Sequence, residues 1–210
     1  MVGHVDPYAE LRNPPRAEQT MGMPVAKNRY WTVEDVWALP DTPGVRYEAI
    51  DGELFVTPAP SLLHQRAVRT ITEQLQAYAR QEGVGEVFSA PIDVVLDDGT
   101  IVQPDVLAFP VMSVDAMRAS ARERRLPLLA VEVLSHSTAR YDRIVKRPRI
   151  QRSGFELWIV DLDGQVIERW APTAERPEVC VANISWQLPG AVSTLMIDLE
   201  SLFITILADS

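Results

Sequence analysis

Cysteine occurs once in the 210 residues, at Cys180, so the chain can close no internal disulfide and cannot assemble a cysteine-based zinc site alone. A reducing cytoplasm is the expected setting. No apolar run approaches the roughly 20 residues needed to span a bilayer. The first residues, MVGHVDPYAELRNPPRAEQTMG, show no basic start followed by an apolar stretch, so neither export nor membrane insertion is predicted. GxGxxG, a Walker lysine loop, GxSxG and HExxH are all missing, which removes the usual sequence support for nucleotide cofactors, serine hydrolysis and zinc proteolysis. Basic residues are in deficit, 20 against 29 acids, for a formal net charge of −9. That balance opposes sequence-blind attraction to phosphate backbones, which needs clustered Lys and Arg.

The basic residues present are concentrated. Arg140, Arg143, Lys146, Arg147, Arg149 and Arg152 share one short segment with one acid, Asp142. Such a run reads either as a solvated helix face or as a phosphate-facing one.

The hydrophobic share of 47% suits one packed domain. Residues 1–28 carry four prolines and no sustained periodicity, so they are expected to form a flexible or loosely docked arm, with the folded domain spanning 29–210. Thr32 and Asp35 make a capping box for a short helix toward Leu39. Asp51-Gly52 joins two β-prone runs, RYEAI and ELFV, as a two-residue hairpin. Ala67, Val68, Ile71, Leu75 and Tyr78 recur at helical spacing over about 62–79, with His64 one turn before Val68 on the same face.

EVFSAPIDVVL and TIVQPDVLAF, joined by Asp97-Asp98-Gly99, predict a second hairpin. A polar helix or loop is expected over 114–125, and LPLLAVEVL reads as a central strand covered on both faces. Ser137 or Thr138 should cap a helix that Pro148 kinks and Gly154 ends. FELWIVD and QVIERWA pair around Asp163-Gly164, and two weaker strands and a DLESLF helix follow. This order predicts an α/β protein of the α+β kind: a mixed sheet flanked by helices, with an added N-terminal hairpin.

Glu132 interrupts an apolar run, on the strand face of Leu128, Ala130 and Leu134. A carboxylate there must be hydrogen-bonded, paired with a cation or bound to a metal. Asp105 follows Pro104, and a proline inside a strand implies an edge, a bulge or a bend that re-aims side chains. Gln103, two positions earlier, shares its face. Two carboxylates and a lysine meet the needs of phosphodiester hydrolysis: oxygen ligands suit Mg²⁺, and an ammonium stabilises charge building on phosphorus.

The runs VQPDVLAF, AVEVLSHST, YDRIVK and GFELWIVD, within roughly Tyr30 to Trp170, resemble the Uma-type endonuclease family of the PD-(D/E)xK restriction-endonuclease-like superfamily. The resemblance implies a restriction-endonuclease-like fold and a site built from Glu48, His64, Asp105, Glu132 and Lys146. Leu134 stands where ExK would place lysine, and Lys146 on the following helix takes that part. Three further positions depart from the family: His136 for a proline, and Ile150 and Leu157 for tyrosines.

On this reading the chain is expected to be a Mg²⁺-dependent nuclease, Mn²⁺ serving as a substitute, acting on DNA. Asp105 and Glu132 are the metal ligands, Glu48 an accessory ligand or base, Lys146 the charge-stabilising group, and His64 a base, a phosphate contact or a packed core residue. A homodimer is expected, since cutting both strands takes two sites. The competing readings are a nuclease-fold binding domain that no longer cleaves and a hydrolase of another phosphoester.

Overall fold

The computed structural model describes residues 29–119, 124–135 and 138–208. The expected arm and His136 lie outside them.

Helix α1 (Val33–Trp37) opens on the capping box read from the sequence, with Thr32 and Asp35 satisfying each other's backbone N–H. Strands β1 (Val45–Ile50) and β2 (Glu53–Pro58) form the first hairpin. Its turn puts Asp51 at φ 52° and Gly52 at φ 77°, the pair of positive values that Asp-Gly tolerates. Helix α2 (Leu62–Glu82) is capped by the Ser61 side chain and ends at Gly83 in the left-handed region.

The second hairpin departs from expectation. Each of its two arms is divided between two sheets, giving β3 (Gly85–Ser89), β4 (Val94–Asp97), β5 (Thr100–Val102) and β6 (Val106–Pro110). Strands β4 and β5 join the first hairpin in a four-stranded sheet ordered β2-β1-β5-β4, while β3 and β6 pair in a second sheet. Both divisions fall at a proline, Pro91 on one arm and Pro104 on the other, where the ladder loses an N–H donor.

Beyond α3 (Val114–Ala119), strand β7 (Leu129–Val133) lies inside the six-stranded sheet and is buried along its whole length. A helical crossover runs from 139 to 152: α4 (Ala139–Tyr141), a π-helical turn (Asp142–Lys146) and α5 (Arg147–Arg152). The expected kink at Pro148 therefore takes the form of a widened turn just before it. A proline cannot donate the i→i−4 bond, and the Arg147 N–H bonds Asp142 O instead. Thr138 precedes the helix without a side-chain capping bond, and Ser137 lies outside the described residues.

Strands β8 (Glu156–Asp161), β9 (Val166–Trp170) and β10 (Glu178–Cys180) complete the sheet, ordered β10-β9-β8-β7-β6-β3. Among the described residues only the β7–β8 pairing is parallel, which is why a helical crossover joins those two strands. The tail adds a two-stranded ladder, β11 (Asn183–Trp186) and β12 (Leu195–Asp198), and helix α6 (Leu199–Leu207).

Period-2 alternation sorts the core. Leu129, Val131 and Val133 of β7 pack with α2 and α6, while Ala130 and Leu134 face the first hairpin and the crossover. Leu128, just before the strand, packs on the α2 side, opposite to the face expected of it. A third cluster packs α1 on the outer face of the four-stranded sheet, through Val33, Val36, Ala49 and Ile101. Among the described residues no helix is long and apolar enough to cross a membrane. The architecture is a mixed sheet flanked by helices, as the element order predicts.

Candidate active site

Three elements converge between the two sheets. On β1, Arg46 and Glu48 share a face with Ile50, which packs into the interior cluster. On β7, Glu132 falls between Ala130 and Leu134 of that cluster. One step past the Val106↔Val131 pair, Asp105 comes opposite Glu132, so both carboxylates project from the same face of adjacent strands. The crossover lies on this side too, through Tyr141 and Ile150, and brings Lys146 over them.

The prolines that divide the second hairpin also shape the site. Where β5 ends at Val102, the Gln103 N–H donates to Glu48 Oε1 at 2.6 Å. Where β6 has not yet begun, the Val133 N–H donates to Asp105 Oδ2 at 3.0 Å. Each carboxylate thus takes a strand N–H at a ladder end.

Lys146 is buried, its Nζ 2.7 Å from Glu48 Oε1 and 2.8 Å from Glu132 Oε1. Asp105 Oδ1 accepts from Arg46 at 3.0 Å, and Asp105 Oδ2 lies 3.1 Å from His64 Nε2. The same Nε2 is 3.0 Å from Val133 O. Both neighbours of Nε2 are acceptors, so Nε2 carries the proton, and the buried Nδ1 finds no partner among the described residues. His64, from the first turn of α2, is thereby hydrogen-bonded into the site rather than merely packed.

A cavity of about 240 Å³ opens onto these groups, and all five residues expected from the sequence line it. Gln103 lines it as well. Ile150 and Leu157 lie in the interior cluster instead and do not line the cavity.

Sequence reasoning missed Arg46, Tyr141 and Asp142. Arg46 was open to inference, since two residues before Glu48 on a strand is the same face. Asp142 stood out only as the single acid of the basic segment. It is buried, lines the cavity and lies one turn before Lys146. The basic segment itself is largely committed to structural pairs. Arg143 binds Asp161 and Glu168, Arg147 stacks on Trp170, and Arg149 binds Asp51 and Asp97, leaving Arg140 and Arg152 exposed.

Four carboxylates, Glu48, Asp105, Glu132 and Asp142, line the cavity against Arg46, Lys146 and His64. Burial pushes the Glu132 carboxyl well above its ordinary range; Lys146 opposes this, and Asp105, Asp142 and Glu48 add to it. Asp142 is raised to about 6 by burial, against the pull of Lys146 and a hydrogen bond from Thr138. Asp105 goes the other way: burial would raise it, but His64, the Val133 N–H and Lys146 hold it below the usual value. Burial disfavours the Lys146 ammonium, yet Glu132, Glu48 and Asp142 outweigh it and raise its pKa. One ammonium cannot neutralise three surrounding acids, so it stays charged while Glu132 remains undercompensated. Burial and the same carboxylates push the Tyr141 phenol well above its range.

A search of curated proteins finds no significant match. Among solved structures, the chain is similar to one described as a putative nuclease belonging to DUF820 from Anabaena variabilis ATCC 29413. Identity is 18%, the match covers 84% of this chain and 99% of that one, and the TM-score is 0.68, which establishes the fold. The family model Uma2, described as "Putative restriction endonuclease", matches residues 33–200, a span that takes in every element from α1 to β12, and the chain belongs to that family.

Proposed function

We propose that the chain is a divalent-metal-dependent nuclease that hydrolyses phosphodiester bonds in DNA. The observation that carries this reading is the charge imbalance of the cavity. Its four carboxyl groups outnumber the cations Arg46 and Lys146 by two, and burial without a further cation to compensate it is what pushes the Glu132 and Asp142 carboxyls up. Buried uncompensated carboxylates are costly, and a divalent cation offsets such an excess.

The donors fit such an ion in part. Among the described residues no group of three or more His, Cys, Asp or Glu is set to hold a metal, so a fully protein-built cage is absent. Mg²⁺ does not need one, because it commonly takes one or two carboxylates and keeps water or substrate phosphate elsewhere. Asp105 and Glu132, opposite each other on adjacent strands, would hold it, with Glu48 accessory. When bound, the ion supplies Lewis-acid polarisation of a phosphoryl oxygen.

The remaining roles belong to the chain. Lys146, fixed by two acids, presents a permanent positive charge to phosphorus-bound oxygens. His64 Nε2–H and Arg46 hold Asp105 in place. Cleavage of both strands takes two such sites, and a homodimer would supply them; light scattering at micromolar concentration tests this.

Supercoiled plasmid, linear duplex and single strands incubated with Mg²⁺ or Mn²⁺ test the main proposal, alongside calorimetric titration of the metal. Asp105→Ala and Glu132→Ala should each abolish cleavage and weaken metal binding strongly. Wild-type metal affinity in either variant sinks the ligand assignment.

A further inference from the structure

A second cavity, of about 460 Å³, adjoins the first. The two share Arg46, Ala59, Pro60 and Gln103 in their walls, so the second chamber lies directly beside the acid-and-lysine site. Its size falls within the roughly 300–1,000 Å³ typical of small-molecule sites.

The chamber's wall combines rings with polar groups. Trp37, Tyr47, Pro40, Pro43 and Pro91 line it, and Trp37 is 38% exposed although it ends a helix whose other face is core. The indole is held in one orientation, because Trp37 Nε1 donates to Asp93 Oδ2 at 2.9 Å. The other oxygen of Asp93 accepts from Gln103 Nε2 at 2.8 Å. Gln103 therefore ties the chamber to the catalytic groups, its backbone N–H on Glu48 and its side chain on Asp93. Its amide oxygen is buried and has no donor among the described residues.

Charge orders the two cavities. Arg46 stands at the shared wall, while the acids Asp41 and Asp93 line the far chamber. Two acids disfavour a phosphate in the chamber itself, while Arg46 is the cation at the wall it shares with the first cavity. A neutral, planar group with donor edges is not repelled.

We infer that this chamber is a subsite for an unpaired nucleobase, placed beside the phosphodiester that the proposed nuclease site attacks. The inference rests on the nuclease reading and adds to it a substrate class: a strand whose base is free to leave the stack. Stacking on an oriented aromatic ring binds any base without reading sequence, which agrees with a chain that has no base-reading motif. An unpaired base comes from a single strand or from a weakened pair in a duplex.

The test uses the full chain in EDTA, with fluorescence anisotropy of three labelled probes: a single-stranded 12-mer, its perfect duplex, and a duplex with one mismatch. Each is compared with a copy carrying one abasic position. The single strand should bind at least about tenfold tighter than the perfect duplex, and an abasic position at the subsite should remove about tenfold. A mismatched duplex that binds like the single strand identifies an extruded base as an accepted source. In Trp37→Ala the single strand should bind about tenfold more weakly, and the abasic position should no longer matter; Trp37→Phe should restore most of the difference. Thermal unfolding of both variants checks that they fold. Wild-type affinity in Trp37→Ala, or equal binding of single strand and perfect duplex, overturns the subsite. The two readings fail separately. Trp37-dependent binding without cleavage in Mg²⁺ leaves the subsite standing and sinks the nuclease, whereas cleavage indifferent to unpaired bases does the reverse.

Discussion

Lys146 Nζ lies 2.8 Å from Glu132 Oε1 although one residue belongs to a helical crossover and the other to a central strand. The β7–β8 pairing is parallel, so the chain must return along one face of the sheet, and that is the face to which alternation assigns Glu132. A lysine on the returning helix therefore reaches the strand carboxylate without being on the strand. Lys146→Ala removes the one ammonium between Glu48 and Glu132, and it should destabilise the fold by about 3–5 kcal/mol in chemical denaturation, as breaking a buried pair does. Its pKa is raised in the folded state, so its contribution is complete below the ordinary lysine value and is lost only as pH rises beyond that range. The loss in the variant should thus persist through neutral and mildly alkaline pH. A variant as stable as wild type would show that the pair contributes nothing.

Asp105 and Glu132 share a proposed role but should affect stability with opposite sign. Asp105→Asn weakens the bonds from Arg46, His64 and the Val133 N–H, and should cost about 1–3 kcal/mol at pH 7. Its lowered pKa means that its contribution is present above the unfolded value near 3.8 and is lost as pH falls through the still lower folded value. Equal stability of variant and wild type at pH 7 would count against the network.

Glu132→Gln, in contrast, removes a carboxylate that burial and three acids destabilise. The variant should melt at a higher temperature than wild type in EDTA. Adding Mg²⁺ should raise the wild-type melting temperature and leave the variant's almost unchanged, because only a folded site with both carboxylates binds the ion. A Mg²⁺ response of equal size in both proteins would separate Glu132 from any metal site.

Much of this arrangement was legible in the sequence. Glu132 declared itself by interrupting an apolar strand, and Asp51-Gly52 fixed the hairpin that carries Glu48. What periodicity could not convey was the exchange of strands between sheets at Pro91 and Pro104, because a proline announces a bend without stating which sheet receives each half. That exchange frees the N–H groups of Gln103 and Val133 for Glu48 and Asp105. Asp142 escaped for a related reason: in the sequence it stood only as the one acid of a basic run, and the π-helical turn ahead of Pro148 is what shows it buried together with Lys146.

Asp142 gives the sharpest pH prediction. Its pKa is about 6 in the folded state against 3.8 as the ordinary value, chiefly because burial penalises the carboxylate. Between those values the folded protein holds more protons than the unfolded chain, so stability falls as pH rises through the window. Below it both states are protonated and the favourable contribution is whole; above it both are ionised and the folded state bears the cost. That difference corresponds to about 3 kcal/mol. Asparagine at this position mimics the protonated acid at every pH. Asp142→Asn should therefore match wild type near pH 4 and exceed its stability increasingly toward pH 7, by up to about 3 kcal/mol, in denaturation measured across that range. Parallel curves for the two proteins would show that Asp142 is solvated or paired in the folded state. Saturating Mg²⁺ provides an internal check, since a cation in the same cavity favours the carboxylate form and should flatten the wild-type slope across this window by more than it flattens that of the Asp142→Asn variant.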